Sequence, residues 1–327
     1  MSQAIQIATA GLARRSRAGK RLSIVVPMHN EAPVLGAFFT RIGVATQGLG
    51  VEIEIICVDD GSRDETLQGL IDWAGADPRI KVIAFARNFG KEAALTAGIE
   101  AASGDMVVPI DADLQDPPEL IAEFVRLWEE GYDVVYGARA DRSSDTAIKR
   151  TTARLFYRVF NGVSDLQIPE SAGDFRLMDR AVVEALKQLP ERNRFMKGLF
   201  AWVGFRQIGV PYVRPERAAG VTTMGFFRLW RFALDGITSF SSAPLRFWTG
   251  LGLVAAVVAV IAAVVLIVRV LVVGREVPGY ASLMVVMLFS FAFQMIAFGV
   301  LGEYVGRLYQ EVKGRPIYVV RARIGFD

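Results

Sequence analysis

The run Gly104 to Leu120, GDMVVPIDADLQDPPEL, is an apolar segment that ends in acids. Met106, Val107, Val108, Pro109 and Ile110 predict a buried strand, with Asp111 and Asp113 at its carboxyl end and Gln115 two residues further on. In extended backbone, residues two apart point to one side, so Asp111 and Asp113 can aim two carboxylates at one point. Hard oxygen donors in this pattern suit Mg2+ or Mn2+, and Mg2+ is commonly held by one or two carboxylates plus substrate phosphates. Asp116-Pro117-Pro118-Glu119 then starts a helix, because proline fits a first turn. An isolated Asp-x-Asp reads as an acidic strand-to-helix loop; the rest of this chain argues for chemistry.

Four more segments end in polar clusters. Leu22 to Pro27 predicts a strand followed by Met28-His29-Asn30-Glu31, with a helix from Pro33 to about Val44. Glu52 to Val58 leads into Asp59-Asp60-Gly61-Ser62, and Ile80 to Phe85 into Arg87-Asn88-Phe89-Gly90-Lys91. Val134 to Tyr136 leads into Gly137-Ala138-Arg139. Helices are expected from Asp64-Glu65-Thr66, over Glu92 to Ala102, and over Arg180 to Gln188. Strands alternating with helices predict an α/β fold with a parallel sheet covered on both faces. Ligands of such sheets bind beyond the carboxyl ends of the strands, where each of these clusters falls. Asp174 is expected on a loop entering a strand, and Val210 to Arg217 as a further strand. Arg150, Arg154 and Arg158 make one basic helical stripe, either a solvated face or a site for a lipid phosphate.

The chain has 327 residues, 52% of them hydrophobic, and a net charge of +3. Its mean hydropathy is +0.34, and the apolar excess lies after residue 245. This mild positive charge fits an anionic bilayer or phosphorylated substrates rather than nucleic acid. Cys57 is the single cysteine, so no intrachain disulfide is possible, and it is expected to be an inert core thiol. The single histidine, His29, excludes a multi-histidine metal site and reads as a loop residue beside the ligand. Residues 1–21, with a basic run from Arg14 to Arg21, lead into a strand rather than a secretory signal and are expected to be a flexible arm. Residues 224–246 are amphipathic. Phe247 to Val268 and Ala281 to Gly302 carry no charge and are long enough to span a bilayer. Arg228, Arg231, Arg246, Arg307, Lys313 and Arg315 flank the pair on the outside, which places both chain ends in the cytosol.

The segments VPMHNE (26–31), VDDGSRDET (58–66), ARNFGKEAAL (86–95), DADLQDPPE (111–119), GDFRLMDR (173–180), ERNRFMKGL (191–199), ALDGITSFSSAPLR (233–246) and GEYVGRLYQEVKGRP (302–316) together resemble the bacterial polyprenyl-phosphate glycosyltransferases. These are inverting GT-A enzymes of glycosyltransferase family 2. The resemblance covers roughly residues 22 to 320, and its last two segments, attached to a two-helix hairpin, are the most specific. It implies a GT-A domain over 22–223, juxtamembrane helices over 224–246, membrane helices at 247–273 and 281–302, and a cytosolic tail over 303–327. Pro27, Asn30, Glu31, Asp59, Asp60, Gly90, Lys91, Asp111 and Ala112 would then bind the nucleotide sugar. Asp111, Asp113 and Gln115 would hold Mg2+ or Mn2+. Arg139, Lys149, Arg150 and Arg154 would receive the acceptor phosphate. Asp174 falls at the position often assigned the base role, with Asp113, Arg176 and Arg194 as catalytic partners and Lys197 lining the site. Two departures fall on the acceptor and sugar side: Thr223 follows Thr222 where related enzymes often carry lysine, and Ala138 replaces a serine before Arg139.

The implied reaction is transfer of one hexose, glucose foremost, from a UDP-sugar to undecaprenyl phosphate by a homo-oligomer in the bacterial plasma membrane. GDP-mannose, a UDP-N-acetylhexosamine or UDP-formamido-arabinose are the alternative donors. A non-catalytic nucleotide-sugar-binding membrane scaffold is the alternative class. No GxxxxGK[ST] sequence supports a P-loop kinase, and no QxxRW sequence supports a processive synthase.

Overall fold

The computed structural model describes residues 14–139, 172–192, 194–213, 243–273 and 279–326. The basic stripe with Lys149, Arg150 and Arg154, the amphipathic stretch 224–240 and the 223 boundary lie outside the described residues.

Eight strands form one sheet in the order β7-β5-β6-β4-β1-β2-β3-β8. They are β1 (Arg21–Met28), β2 (Glu52–Asp59), β3 (Ile80–Phe85), β4 (Met106–Pro109), β5 (Val134–Arg139), β6 (Ala172–Asp179), β7 (Gln207–Tyr212) and β8 (Val320–Ile324). β1 pairs in parallel with β2 and β4, β2 with β3, and β5 with β7. β6 and β8 run against their neighbours. The sheet is mostly parallel, as expected, and the reversed β6 puts its first residues at the edge where the parallel strands end.

Both faces are covered. Helices α1 (Leu35–Thr46), α2 (Thr66–Ala76) and α4 (Leu120–Glu129) pack Phe38, Leu70 and Phe124 against the even-numbered β1 residues Leu22, Ile24 and Val26. Helices α3 (Lys91–Ala101), α5 (Arg180–Lys187) and α6 (Met196–Trp202) bury Ala94, Val183 and Phe200 against Val25, Ile56 and Val58. Strands enclosed on both sides are near-continuous apolar runs, which is why RLSIVVPM and EIEIICVD are legible as strands. Cys57 is fully buried, and burial pushes its thiol pKa far up.

Two helices leave this core: α7 (Ala243–Val273) with 31 residues and α8 (Tyr280–Lys313) with 34. Their spans Phe247–Arg269 and Ser282–Lys313 each hold an 18-residue apolar stretch, of mean hydropathy 3.2 and 2.2, and are long enough to cross a membrane. Trp248 meets Phe293 across the pair at 6.4 Å between ring centroids.

Three elements differ from expectation. The basic arm is pinned from Arg15 onward: Arg15 N–H donates to the Glu129 carbonyl at 2.9 Å, its guanidinium pairs with Asp133, and Lys20 pairs with Asp105 at 2.8 Å. Acids at the sheet's lower edge hold what composition alone marks as flexible. Asp174 lies within β6, not on a loop before it. The tail after the second apolar run is helical to Lys313 and then adds β8 to the sheet edge.

Gly61 joins two of the loops that carry the polar clusters. It has φ +64°, and a Cβ there would sit 2.5 Å from the Arg87 carbonyl carbon and 2.6 Å from the Asn88 nitrogen. Gly48 shares the left-handed backbone, with φ +71°, but has open space around it. Gly61→Ala is expected to lower stability by more than the roughly 1–2 kcal/mol of left-handed strain that Gly48→Ala shows in the same thermal melts. Equal losses would mean that the 86–90 loop gives way freely.

Candidate active site

The upper edge of the sheet gathers the ends of β1, β2, β4 and β5, the start of β6 and the first turn of α3. At its centre is Lys91, the first residue of α3. Its ammonium lies 2.7 Å from the Asp111 carboxylate and 2.8 Å from that of Asp174. Withdrawal from water alone would lower the Lys91 pKa, but Asp174 and Asp111 outweigh it and hold the ammonium above the ordinary lysine range. Burial would likewise raise the Asp174 pKa, but the charges of Lys91, Lys197 and Arg176 hold it well below the ordinary aspartate range.

Asp111 and Asp113 are not on a strand. β4 ends at Pro109, and Asp111 to Gln115 form a tight turn in which Leu114 has φ +55°. Asp113 Oδ1 accepts the Gln115 N–H at 3.1 Å, so a turn and not a strand's alternation carries the two carboxylates. Ala112 is buried beneath the turn. The donor set is all hard oxygen. Among the described residues no three His, Cys, Asp or Glu gather to hold an ion by themselves. Two carboxylates and an amide oxygen, with the remaining positions left to a diphosphate, fit Mg2+ or Mn2+.

The other expected nucleotide residues build the loops. Asp60 accepts the N–H of Phe89 at 2.6 Å and of Gly90 at 2.9 Å, tying the 87–90 loop to the end of β2. Asp59 is buried and receives the Ser62 N–H at 3.3 Å. Asn30 has φ +57°, its Oδ1 accepts the Arg63 N–H at 2.9 Å, and Glu31 N–H donates to Thr66 Oγ1 at 2.8 Å. Pro27 is half-buried in β1 beside Val58, and His29 Nδ1 lies 3.0 Å from the Asp60 carbonyl. These contacts tie together the loops at the ends of β1, β2 and β3.

Arg176 is 3% exposed. Its Nη2 donates to the Gly173 carbonyl at 2.6 Å, its guanidinium carbon lies 4.0 Å from the Phe200 ring centroid, and its Nε has no hydrogen-bond partner. Burial pushes its pKa down to about 10 against the pull of Asp174. Arg139 ends β5 beside Tyr212, the last residue of β7, and the Tyr212 hydroxyl donates to Asp116 just past the acidic turn. Burial and Asp116 push the Tyr212 phenol up to about 12. Arg194 is not turned to the cluster: its Nη2 donates to the Leu189 carbonyl at 2.9 Å and its Nε to the Glu191 carbonyl at 3.2 Å.

Sequence reasoning missed Glu92. Its carboxylate accepts the Met196 N–H at 3.1 Å, joining α3 to α6. The signal available was its place in the first turn of a helix, where acids are common and therefore uninformative. Burial and nearby Asp174 push its pKa up to about 7 from an ordinary 4.5. Because the folded value is raised, the stabilisation by neutral Glu92 is complete below pH 4.5 and is lost as pH rises through 7. Glu92→Gln is expected to flatten that part of the melting temperature–pH curve. An unchanged slope would place Glu92 in water.

The match to known proteins agrees with this geometry. Residues 23–187 match the family model described as Glycosyl transferase family 2. An uncharacterized glycosyltransferase of Synechocystis sp. is 53% identical over 94% of this chain and 96% of its own. The SfII prophage-derived bactoprenol glucosyl transferase of Shigella flexneri is 47% identical over 92% of this chain and 97% of its own. A mannosyltransferase of Pyrobaculum calidifontis, solved with GDP-Man and Mn2+, overlaps 93% of this chain and 90% of its own at TM-score 0.47 and 18% identity, too remote to add to the family match. The chain belongs to glycosyl transferase family 2, and its mostly parallel sheet is the GT-A arrangement. It is a glycosyltransferase.

Proposed function

We propose that this chain transfers one hexose, glucose foremost, from a UDP-sugar to undecaprenyl phosphate at the cytosolic face of the bacterial plasma membrane, with inversion, giving a polyprenyl-monophosphate sugar. One observation carries the reading: the family domain and the pair of long apolar helices occur together over the length shared with bactoprenol glucosyl transferases at 47% identity. The pair of helices would anchor the chain beside a lipid acceptor with both termini in the cytosol, and would serve for assembly of a homo-oligomer.

Asp111, Asp113 and Gln115 would hold Mg2+ or Mn2+ on the donor diphosphate, where the ion would neutralise charge and ease departure of the nucleoside diphosphate. Loops 27–31, 59–62 and 87–90 would receive the nucleoside. Arg139, held at the end of β5, is the described residue assigned to the acceptor phosphate, with Lys149, Arg150 and Arg154 as its further partners. Arginine suits this task because its planar donors match phosphate oxygens.

The acceptor changes what the site must do. A phosphate monoester has a second pKa of about 6, so its oxygen is mostly ionised at neutral pH and needs no base. Asp174, held anionic by Lys91, Lys197 and Arg176, is a poor proton acceptor and a good anchor for those cations. Asp174→Asn is therefore expected to stay within about tenfold of wild-type turnover with an unchanged pH profile, whereas loss of a general base costs about 10^2–10^4. A loss in that larger range with intact donor binding would assign the base role to Asp174.

The reaction is tested in detergent with undecaprenyl phosphate, Mg2+ or Mn2+, and UDP-glucose, UDP-galactose, UDP-N-acetylglucosamine, UDP-formamido-arabinose or GDP-mannose in turn, reading product lipid by mass. One donor is expected to give a lipid-monophosphate sugar, abolished by EDTA and by Asp113→Ala. Metal-dependent nucleotide binding with no product from any donor would favour the scaffold reading.

A further inference from the structure

Two segments singled out in the sequence, ERNRFMKGL (191–199) and GEYVGRLYQEVKGRP (302–316), lie one on α6 beside the site and one at the end of the long apolar helix α8. The structure interlocks them. Both carboxylate oxygens of Glu311, in the last turns of α8, receive the Arg192 N–H at 3.0 and 3.1 Å. The Arg192 guanidinium donates onward to the Arg315 carbonyl, just past the left-handed Gly314 that ends the helix. The chain then returns to the sheet. Ala86 N–H donates to the Val319 carbonyl at 2.9 Å, and Tyr318 stacks on Phe85 at 4.9 Å with its hydroxyl on Glu100. Thus the long apolar helix is fastened to the catalytic domain at two places: the loop before α6, and the β3 edge with α3.

These two places flank the site. α6 starts at Met196, whose N–H is held by Glu92 in the first turn of α3. The residue before Glu92 is Lys91, which bridges Asp111 and Asp174. α6 also carries Lys197, whose charge acts on Asp174, and Phe200, which lies against Arg176. A helix leaving an apolar span and gripping the support of the cluster would couple the position of that cluster to the span. We propose that Glu311 is a positioning residue, which locks the membrane-side helix to the 191–195 loop so that the site meets a phosphate held at the bilayer surface. It touches no reacting atom itself. The proposal rests on the reading of a membrane-held acceptor given above.

A positioning role separates acceptors that come from the bilayer from acceptors that come from solution. The full chain in phosphatidylethanolamine–phosphatidylglycerol vesicles is given undecaprenyl phosphate, and in detergent the short acceptor farnesyl phosphate, each with the donor found in the screen. For Glu311→Ala, kcat/KM is expected to fall about tenfold with undecaprenyl phosphate and less than about twofold with farnesyl phosphate, the scale of one charged hydrogen bond. The KM for the nucleotide sugar is expected to stay as in wild type. Glu311→Gln, which can still accept the Arg192 N–H, is expected to recover part of the loss. Equal loss with both acceptors, or no loss with either, overturns the proposal. Amide hydrogen exchange over Arg192 to Trp202 gives a readout independent of turnover: faster exchange in Glu311→Ala supports the lock, and unchanged exchange refutes it. If wild type uses neither lipid, the proposed reaction fails while the exchange comparison still decides the lock.

Discussion

The site depends on a single ammonium held between two carboxylates. Asp111 arrives from β4 and Asp174 from β6, and without a cation between them their charges would repel. Lys91 supplies that cation at 2.7 and 2.8 Å. Its side chain is 41% exposed, so the pairs contribute little to stability through screened attraction. Their effect is on charge state and geometry. Lysine at a helix start works against the helix dipole, and Lys91 is held there by two acids that have nothing closer to pair with among the contacts described.

Strand direction makes this meeting possible. β6 runs against β4 and β5, so Asp174 near its start stands at the same edge as the last residues of the parallel strands. Were β6 reversed in place, Asp174 would move from the third to the sixth position of its eight residues, about 10 Å away at roughly 3.3 Å per residue. The same reversal explains the environment of Arg176. Two residues along β6 from Asp174, it shares that face of the strand and is enclosed by Phe200 from α6. A guanidinium so buried, with its Nε unpaired, is costly, and the neighbouring anion of Asp174 is what offsets the cost.

The sheet was legible because buried strands are apolar runs and their ends are polar. The acidic pair was legible as a pair, but its geometry was not: Leu114 in left-handed backbone closes a turn that no alternation rule anticipates. Asp174 was found by resemblance and misplaced by one element, since a polar residue opening a strand resembles loop. β8 was missed because VRARI alternates arginine with small or apolar residues at a sheet edge, a weak pattern in a tail that also reads as basic and solvated. Arg194 carried the right charge in the right segment, but its loop's free carbonyls were the nearer acceptors. Glu92 and Tyr212 act through long-range partners, Met196 and Asp116, and sequence spacing holds no trace of either contact.

The charge balance of the site bears on what kind of acceptor it suits. Around Asp174 stand Lys91, Lys197 and Arg176, and Arg139 lies on the adjoining strand end. A site built to ionise a sugar hydroxyl needs a carboxylate with a raised pKa close to the acceptor. Here the carboxylate nearest the cations is driven the opposite way, and the two site carboxyls that burial raises, Glu92 and Asp60, are engaged with the backbone N–H groups of Met196 and of Phe89 and Gly90. Fixed positive charge around a carboxylate held anionic matches an acceptor that arrives already ionised. Bringing such an anion to a diphosphate is then a matter of neutralisation and placement, which makes the rigid seating of the cations the property on which the proposed transfer turns.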